Sequence, residues 1–115
     1  NRRAIGTEYE TLACEYLIRH GYQILCRNFR CRQGEIDIIA RDIDYLVFVE
    51  VKYRRDEHEG DPAEAVDARK QARILRTARY YMTRYHISED TPCRFDVVAV
   101  LGSNVRLIRD AFWCG

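Results

Sequence analysis

No stretch of this chain approaches the ~20 consecutive apolar residues that a membrane-spanning helix needs, and no signal peptide is visible. A bilayer-embedded protein is therefore not expected; a cytoplasmic one is. Repeats and low-complexity tracts are also missing, which leaves out solenoids and disordered arrays. Charge of one sign is in short supply: 19 Lys and Arg meet 18 Asp and Glu, for a net charge of +1. Global charge thus selects no partner, and only its local distribution can. The basic residues are nearly all arginine, the side chain suited to two-point contact with phosphate. Five cysteines, Cys14, Cys26, Cys31, Cys93 and Cys114, are odd in number and scattered. A disulfide framework is not expected, and a reducing compartment is. Cys26 and Cys31 flank an expected turn, but without a Cys-x-x-Cys pair or clustered histidines they make a poor zinc site. His58 and His86 stand in polar surroundings and are assigned no role.

At 115 residues the chain is expected to form one domain, 1–115, with a core of its own. A first helix is predicted from Ile5 to His20, with Tyr9, Leu12, Ala13, Tyr16, Leu17 and His20 on its apolar stripe and Gly21 as its stop. Strands are predicted over Tyr22–Asn28, Glu35–Arg41 and Tyr45–Tyr53. Short connections at Arg30–Gly34 and Asp42–Asp44 make these an antiparallel meander. After a charged segment, Asp61-Pro62 can begin a short turn or helix, and Asp67 is a second candidate N-cap, from which the main helix is expected to run to about Tyr85. Its expected apolar line is Ala68, Ala72, Leu75, Ala78 and Met82, with Arg69, Lys70, Arg73, Arg76 and Arg84 lying away from it. Strands over Cys93–Leu101 and Val105–Arg109 follow. The fold class is α/β, a mixed sheet flanked by helices, with a helical crossover between the third and fourth strands.

The apolar run Tyr45-Leu46-Val47-Phe48-Val49 ends in Glu50-Val51-Lys52. Glu50 and Lys52 leave the same face of that strand, and charged groups at the end of a buried strand must pair, hold a metal or face a cleft. In the preceding strand Glu35, Asp37 and Ile39 are expected on one face, with Ile36, Ile38 and Ala40 on the other. The hairpin at Asp42-Ile43-Asp44 carries Asp37 towards Glu50, thirteen positions further on. Two carboxylates within about 4–6 Å of each other repel unless a cation lies between them. Oxygen donors with an unfinished shell suit Mg²⁺ or Mn²⁺, and Lys52 would then position or deprotonate an attacking water, or offset charge on the phosphorane-like transition state. The plainer reading is a surface pair at a strand end, with Asp37 bound to a nearby arginine. The residues alone leave both open.

Gly34-Glu35-Ile36-Asp37-Ile38-Ile39-Ala40, followed by Val47-Phe48-Val49-Glu50-Val51-Lys52 and Arg54, resembles the YraN-like family of bacterial proteins. That family is placed in the PD-(D/E)XK, or restriction-endonuclease-like, superfamily. The resemblance extends to Gly6, Glu10, Ala13, Tyr16 and Leu17 in the first helix, and to Gly21-Tyr22, Ile24-Leu25 and Arg27-Asn28 after it. It continues through Glu64-Ala65-Val66 and Lys70, and ends at Arg94-Phe95-Asp96-Val97-Val98. It implies an αβββαβ core and Mg²⁺-dependent (or Mn²⁺-dependent) hydrolysis of phosphodiester bonds in DNA, branched or repair and recombination intermediates included.

Carried onto these positions, the resemblance makes Asp37 and Glu50 metal ligands, the main-chain carbonyl of Val51 a further one, and Lys52 the motif lysine. The interval from Glu10 to Gly21-Tyr22 is similar to that in archaeal Holliday-junction resolvases, which adds Glu10 as a catalytic and metal candidate, with Glu8 as runner-up. Lys70 gains from the match, and Arg54 and Arg55 from their place beside the site. With Arg73 they are the candidates for contact with DNA, although a solvated face is the plainer reading of that helix's charges. Asp96 is expected to anchor an arginine rather than to catalyse. A homodimer would suit symmetric cutting of a branched substrate. The alternative function is a nucleic-acid-binding module that keeps the fold without the activity, and behind it a structural interaction domain.

Overall fold

The most apolar segment of the sequence, Tyr45–Val49, lies at the centre of the sheet. In the computed structural model, residues 2–55 and 66–112 are described. They form α1 (Arg2–Arg19), β1 (Gln23–Cys31), β2 (Gly34–Asp42), β3 (Tyr45–Arg54), α2 (Ala68–Arg84), β4 (Cys93–Leu101) and β5 (Asn104–Phe112). The expectations for Asp61-Pro62, Glu64-Ala65, His58 and Cys114 fall outside the described residues. The sheet is mixed, with the spatial order β1-β2-β3-β4-β5. β1, β2 and β3 form the expected antiparallel meander, β3 and β4 run parallel through the α2 crossover, and β5 closes back antiparallel on β4.

β3 is buried on both faces because its alternate residues feed two separate cores. Leu46 and Phe48 pack under α2 with Ile74, Ala78, Tyr81 and Phe95. Val47 and Val49 pack under α1 with Ala13, Leu17, Val98 and Val100. The helices therefore cover opposite faces of the sheet. Each side chain fully withdrawn from water here contributes about 1.5–3 kcal/mol, and Phe48 is 1% exposed.

Both helix ends follow the chemistry of their residues. Gly21 takes φ +89°, and the amides of Gly21 and Tyr22 donate to the carbonyls of Ile18 and Leu17, each at 3.0 Å, which ends α1. Asp67 caps α2, its Oδ1 accepting from the Lys70 amide at 2.9 Å.

The buried stripes differ from expectation by about one position on each helix. On α1, Ala13, Cys14 and Leu17 are buried, whereas Leu12 is 38% exposed and His20 is exposed. On α2, Ile74, Thr77, Ala78 and Tyr81 face the sheet, Leu75 and Met82 are half-buried, and Ala68 and Ala72 are exposed. Alanine gains little from burial, so an alanine-rich line is a weak guide to the inward face; Ile74 and Tyr81 withdraw far more area and set the rotation. The turn between β1 and β2 is also tighter than expected, at Arg32-Gln33, and β5 is longer.

Candidate functional site

The β2–β3 ladder runs from Asp42↔Tyr45 to Ile38↔Val49 and stops there. Regular alternation would put Ile36 with Ile38 and Ala40, but Ile36 packs with Ile39 under α2 while Ile38 and Ala40 pack under α1. The expected faces therefore slip by one residue at Asp37. In place of the next ladder bond, the Val51 amide donates to Asp37 Oδ2 at 2.8 Å. The two strand ends part at this point, and a carboxylate fills the gap between them.

Glu50 is the next residue of β3 after the ladder's end, on the α2 side, and only 7% exposed. This chain has two lysines, Lys52 and Lys70, and both converge on it. Lys70 Nζ lies 2.9 Å and Lys52 Nζ 3.7 Å from Glu50 Oε1. Lys70 reaches it because the true inward face of α2 runs 70, 74, 77, 81. It is thus an ion-pair partner at the centre of the site, a role the sequence reading missed. The rarity of lysine and the inclusion of Lys70 in the family resemblance were the available signals.

The corresponding rotation of α1 turns Glu10 towards the sheet, near enough for its charge to act on Asp37. Glu10 precedes Ala13, Cys14 and Leu17 by helical steps and is half-buried. The ring of its neighbour Tyr9 stacks on Tyr53 of β3, with centroids 3.8 Å apart, which lays this turn of α1 over the β3 end. Glu8 is exposed.

These placements set the electrostatics. Burial, the nearby Glu50 carboxylate and, more weakly, Glu10 push the Asp37 pKa from 3.8 up to about 8, against the Val51 amide, which favours the charged form. Burial and the adjacent Lys70 ammonium lower the Lys52 pKa, with Glu50 opposing. Burial acts against the Lys70 ammonium as well, but Lys52, Glu50 and Asp37 outweigh it and its pKa is raised. Asp37 is thus a carboxylate short of positive charge, and Lys52 an ammonium poised to lose a proton more readily than usual.

Available oxygen donors are Asp37, Glu50 and the Val51 carbonyl, with Glu10 near. Among the described residues no three His, Cys, Asp or Glu side chains form a ready-made metal cluster. Such a donor set fits a hard divalent ion that keeps water or phosphate in its shell, as Mg²⁺ does with one or two carboxylates. The Lys70 ammonium stands on the Glu50 oxygen for which such an ion would compete.

The remaining candidates are placed as follows. Arg54 is half-buried, donating to the Tyr53 carbonyl, and Arg55 is exposed beyond it. Arg73 lies across Gly34 at the start of β2, and with Arg30, Lys70 and Glu50 it lines a cavity of about 370 Å³. Asp96 pairs with Val49 on the adjacent strand, on the α1 face of the sheet opposite Glu50, and is fully buried. It accepts from Arg94 Nε and the Asp110 amide at 2.9 Å and from Tyr22 Oη at 2.8 Å, while Arg94 also donates to Asp42 at 2.8 Å. Asp96 anchors Arg94 as expected, and its acceptor sites are filled. No described helix is long and apolar enough to cross a membrane.

Comparison with known proteins places this geometry in a family. Residues 9–100 match the family described as "Uncharacterised protein family UPF0102". A UPF0102 protein of Lachnoclostridium phytofermentans is 54% identical over 97% of this chain and 95% of its own length. One from Symbiobacterium thermophilum is 50% identical, covering 96% and 97%, and one from Caldicellulosiruptor bescii 47%, covering 97% and 99%. The match runs from the helix turn that carries Glu10 to the end of the parallel strand beside Glu50, and the chain belongs to the UPF0102 family.

Proposed function

We propose that this protein is a divalent-metal-dependent nuclease of restriction-endonuclease-like fold that hydrolyses phosphodiester bonds in DNA. One observation carries the reading: Asp37, Glu50 and Lys52 converge where β2 and β3 part, two carboxylates close enough to repel and a lysine beside them. Asp37, Glu50 and the Val51 carbonyl would hold Mg²⁺ or Mn²⁺, with Glu10 assisting. The bound ion would supply charge to the phosphodiester and lower the cost of forming the nucleophile. Lys52, its ammonium destabilised by burial and by Lys70, would orient the attacking water and, once it has given up its own proton to solvent, take the water's proton as a neutral amine. Glu50, 3.7 Å from Lys52 Nζ, would hold Lys52 at the site rather than in solvent.

The Lys70–Glu50 pair favours a second reading, in which the internal ammonium replaces the metal for good and the domain only binds nucleic acid. Calorimetric titration with Mn²⁺ separates the two. The nuclease reading expects a saturable heat at one or two sites per chain that disappears in Asp37→Ala. Equal heats in both proteins, or none in either, would leave the binding module standing instead.

A further inference from the structure

Six of the 17 residues of α2 are cationic and none is acidic. On an ordinary solvated helix face, signs mix, because like charges one turn apart repel. Arg69, Arg73, Arg76 and Tyr80 follow one another at helical steps of four, three and four, and all four are exposed. Among the described residues no carboxylate pairs with Arg69, Arg73, Arg76 or Arg79. The stripe meets the Glu50 cavity at Arg73, which is part of its wall, and continues into a second hollow of about 310 Å³ lined by Gln33, Arg76, Arg79 and Tyr80. From Arg73 to Tyr80 the helix rises about 10 Å. Tyr80 is 42% exposed, and Phe29 of β1 braces its ring at a centroid distance of 6.2 Å.

We infer that the outer face of α2, together with the β1–β2 turn, binds single-stranded nucleic acid and leads it to the Glu50 cavity. The arginines hold successive phosphates, and Tyr80 stacks on an unpaired base, the combination that single-strand grooves use. A base inside a duplex is already stacked on both sides and offers that ring nothing. The inference rests on the nucleic-acid part of the proposed function and names its substrate class, but it does not need cleavage to occur.

The experiment is fluorescence anisotropy in a chelating buffer, so that no strand is cut. Labelled 12-nucleotide DNA and RNA single strands and the matching DNA duplex are the probes. Expected results are tighter binding of a single strand than of duplex, and a loss of about 5- to 150-fold in Tyr80→Ala. Tyr80→Phe, which keeps the ring, should bind like the natural protein, and Arg76→Ala should reduce the salt dependence by about 0.7 in log–log slope. Whichever of DNA and RNA binds more tightly identifies the source. Binding unchanged in Tyr80→Ala, a preference for duplex, or no binding of any probe overturns the inference. If strands bind through Tyr80 but Mn²⁺ restores no cutting, the nuclease reading fails alone; if cutting occurs while Tyr80→Ala binds normally, the strand path fails alone.

Discussion

Replacing Lys70 by methionine separates two roles that one ammonium combines. Methionine keeps the apolar stem packed against the sheet while removing the charge. In the folded protein Lys70 Nζ is 2.9 Å from Glu50 Oε1, with side chains 32% and 8% exposed. A hydrogen bond between charged groups contributes about 1.5–3 kcal/mol, reduced here because Lys70 is partly solvated and Lys52 remains to offset Glu50. A loss of about 1–2 kcal/mol is expected in the metal-free protein, or about 4–8 °C in Tm for a chain of this size. The opposite sign is expected for metal. An incoming Mn²⁺ no longer has to displace an ammonium from Glu50, so the same energy returns as about 5- to 30-fold tighter binding. Thermal melts with and without Mn²⁺, together with calorimetric titration, measure both. A variant that is less stable and also binds Mn²⁺ no more tightly than the natural protein would refute the competition between Lys70 and metal.

Three further substitutions test other parts of the structure. Asp37 has its pKa raised from 3.8 to about 8, so its contribution to metal-free stability is full below pH 4 and is lost as pH rises through about 8. Asp37→Asn should therefore raise Tm relative to the natural protein increasingly from pH 5 to pH 9 in chelator, and a pH-independent difference would count against the burial and Glu50 repulsion invoked. A β carbon at Gly34, where φ is +148°, would stand 2.9 Å from Arg73 Cγ and 3.0 Å from Thr77 Oγ1. Gly34→Ala should cost about 1–3 kcal/mol in denaturant unfolding, and an unshifted midpoint would show that β2 and α2 are not in close contact there. Arg94→Met leaves the fully buried Asp96 without its cation, and unfolding should show a loss of about 3–5 kcal/mol, shrinking when Asp96→Asn is added.

Much of the fold was legible because a few segments admit one reading. Tyr45–Val49 is a short, β-branched and aromatic apolar run behind a turn, which suits a strand buried on both faces from Leu46 on, and Asp67 and Gly21 mark helix ends by chemistry that needs no tertiary help. The convergence of Asp37 and Glu50 followed from a short hairpin. Less legible was how the strands part. The slip at Asp37 breaks the alternation expected for Glu35–Ala40, and the break is visible only once Ile36 is seen beneath α2 and Ile38 beneath α1. Helix rotation was obscured for a related reason. Alanines dominated the apparent stripe of α2, and reading them as the buried line turned Lys70 outward, whereas Ile74 and Tyr81 turn it onto Glu50. Both corrections concern charged residues that a hydrophobic pattern assigns to solvent and a polar site draws inward.

Cleavage of end-labelled DNA in Mn²⁺, across branched, flapped, single-stranded and duplex forms, tests the central claim most directly. The natural protein should cut at least one of these, and Asp37→Ala and Lys52→Ala should cut none while melting as folded proteins. No cutting of any form by the natural protein, or cutting that survives in Asp37→Ala, would contradict a nuclease centre between β2 and β3.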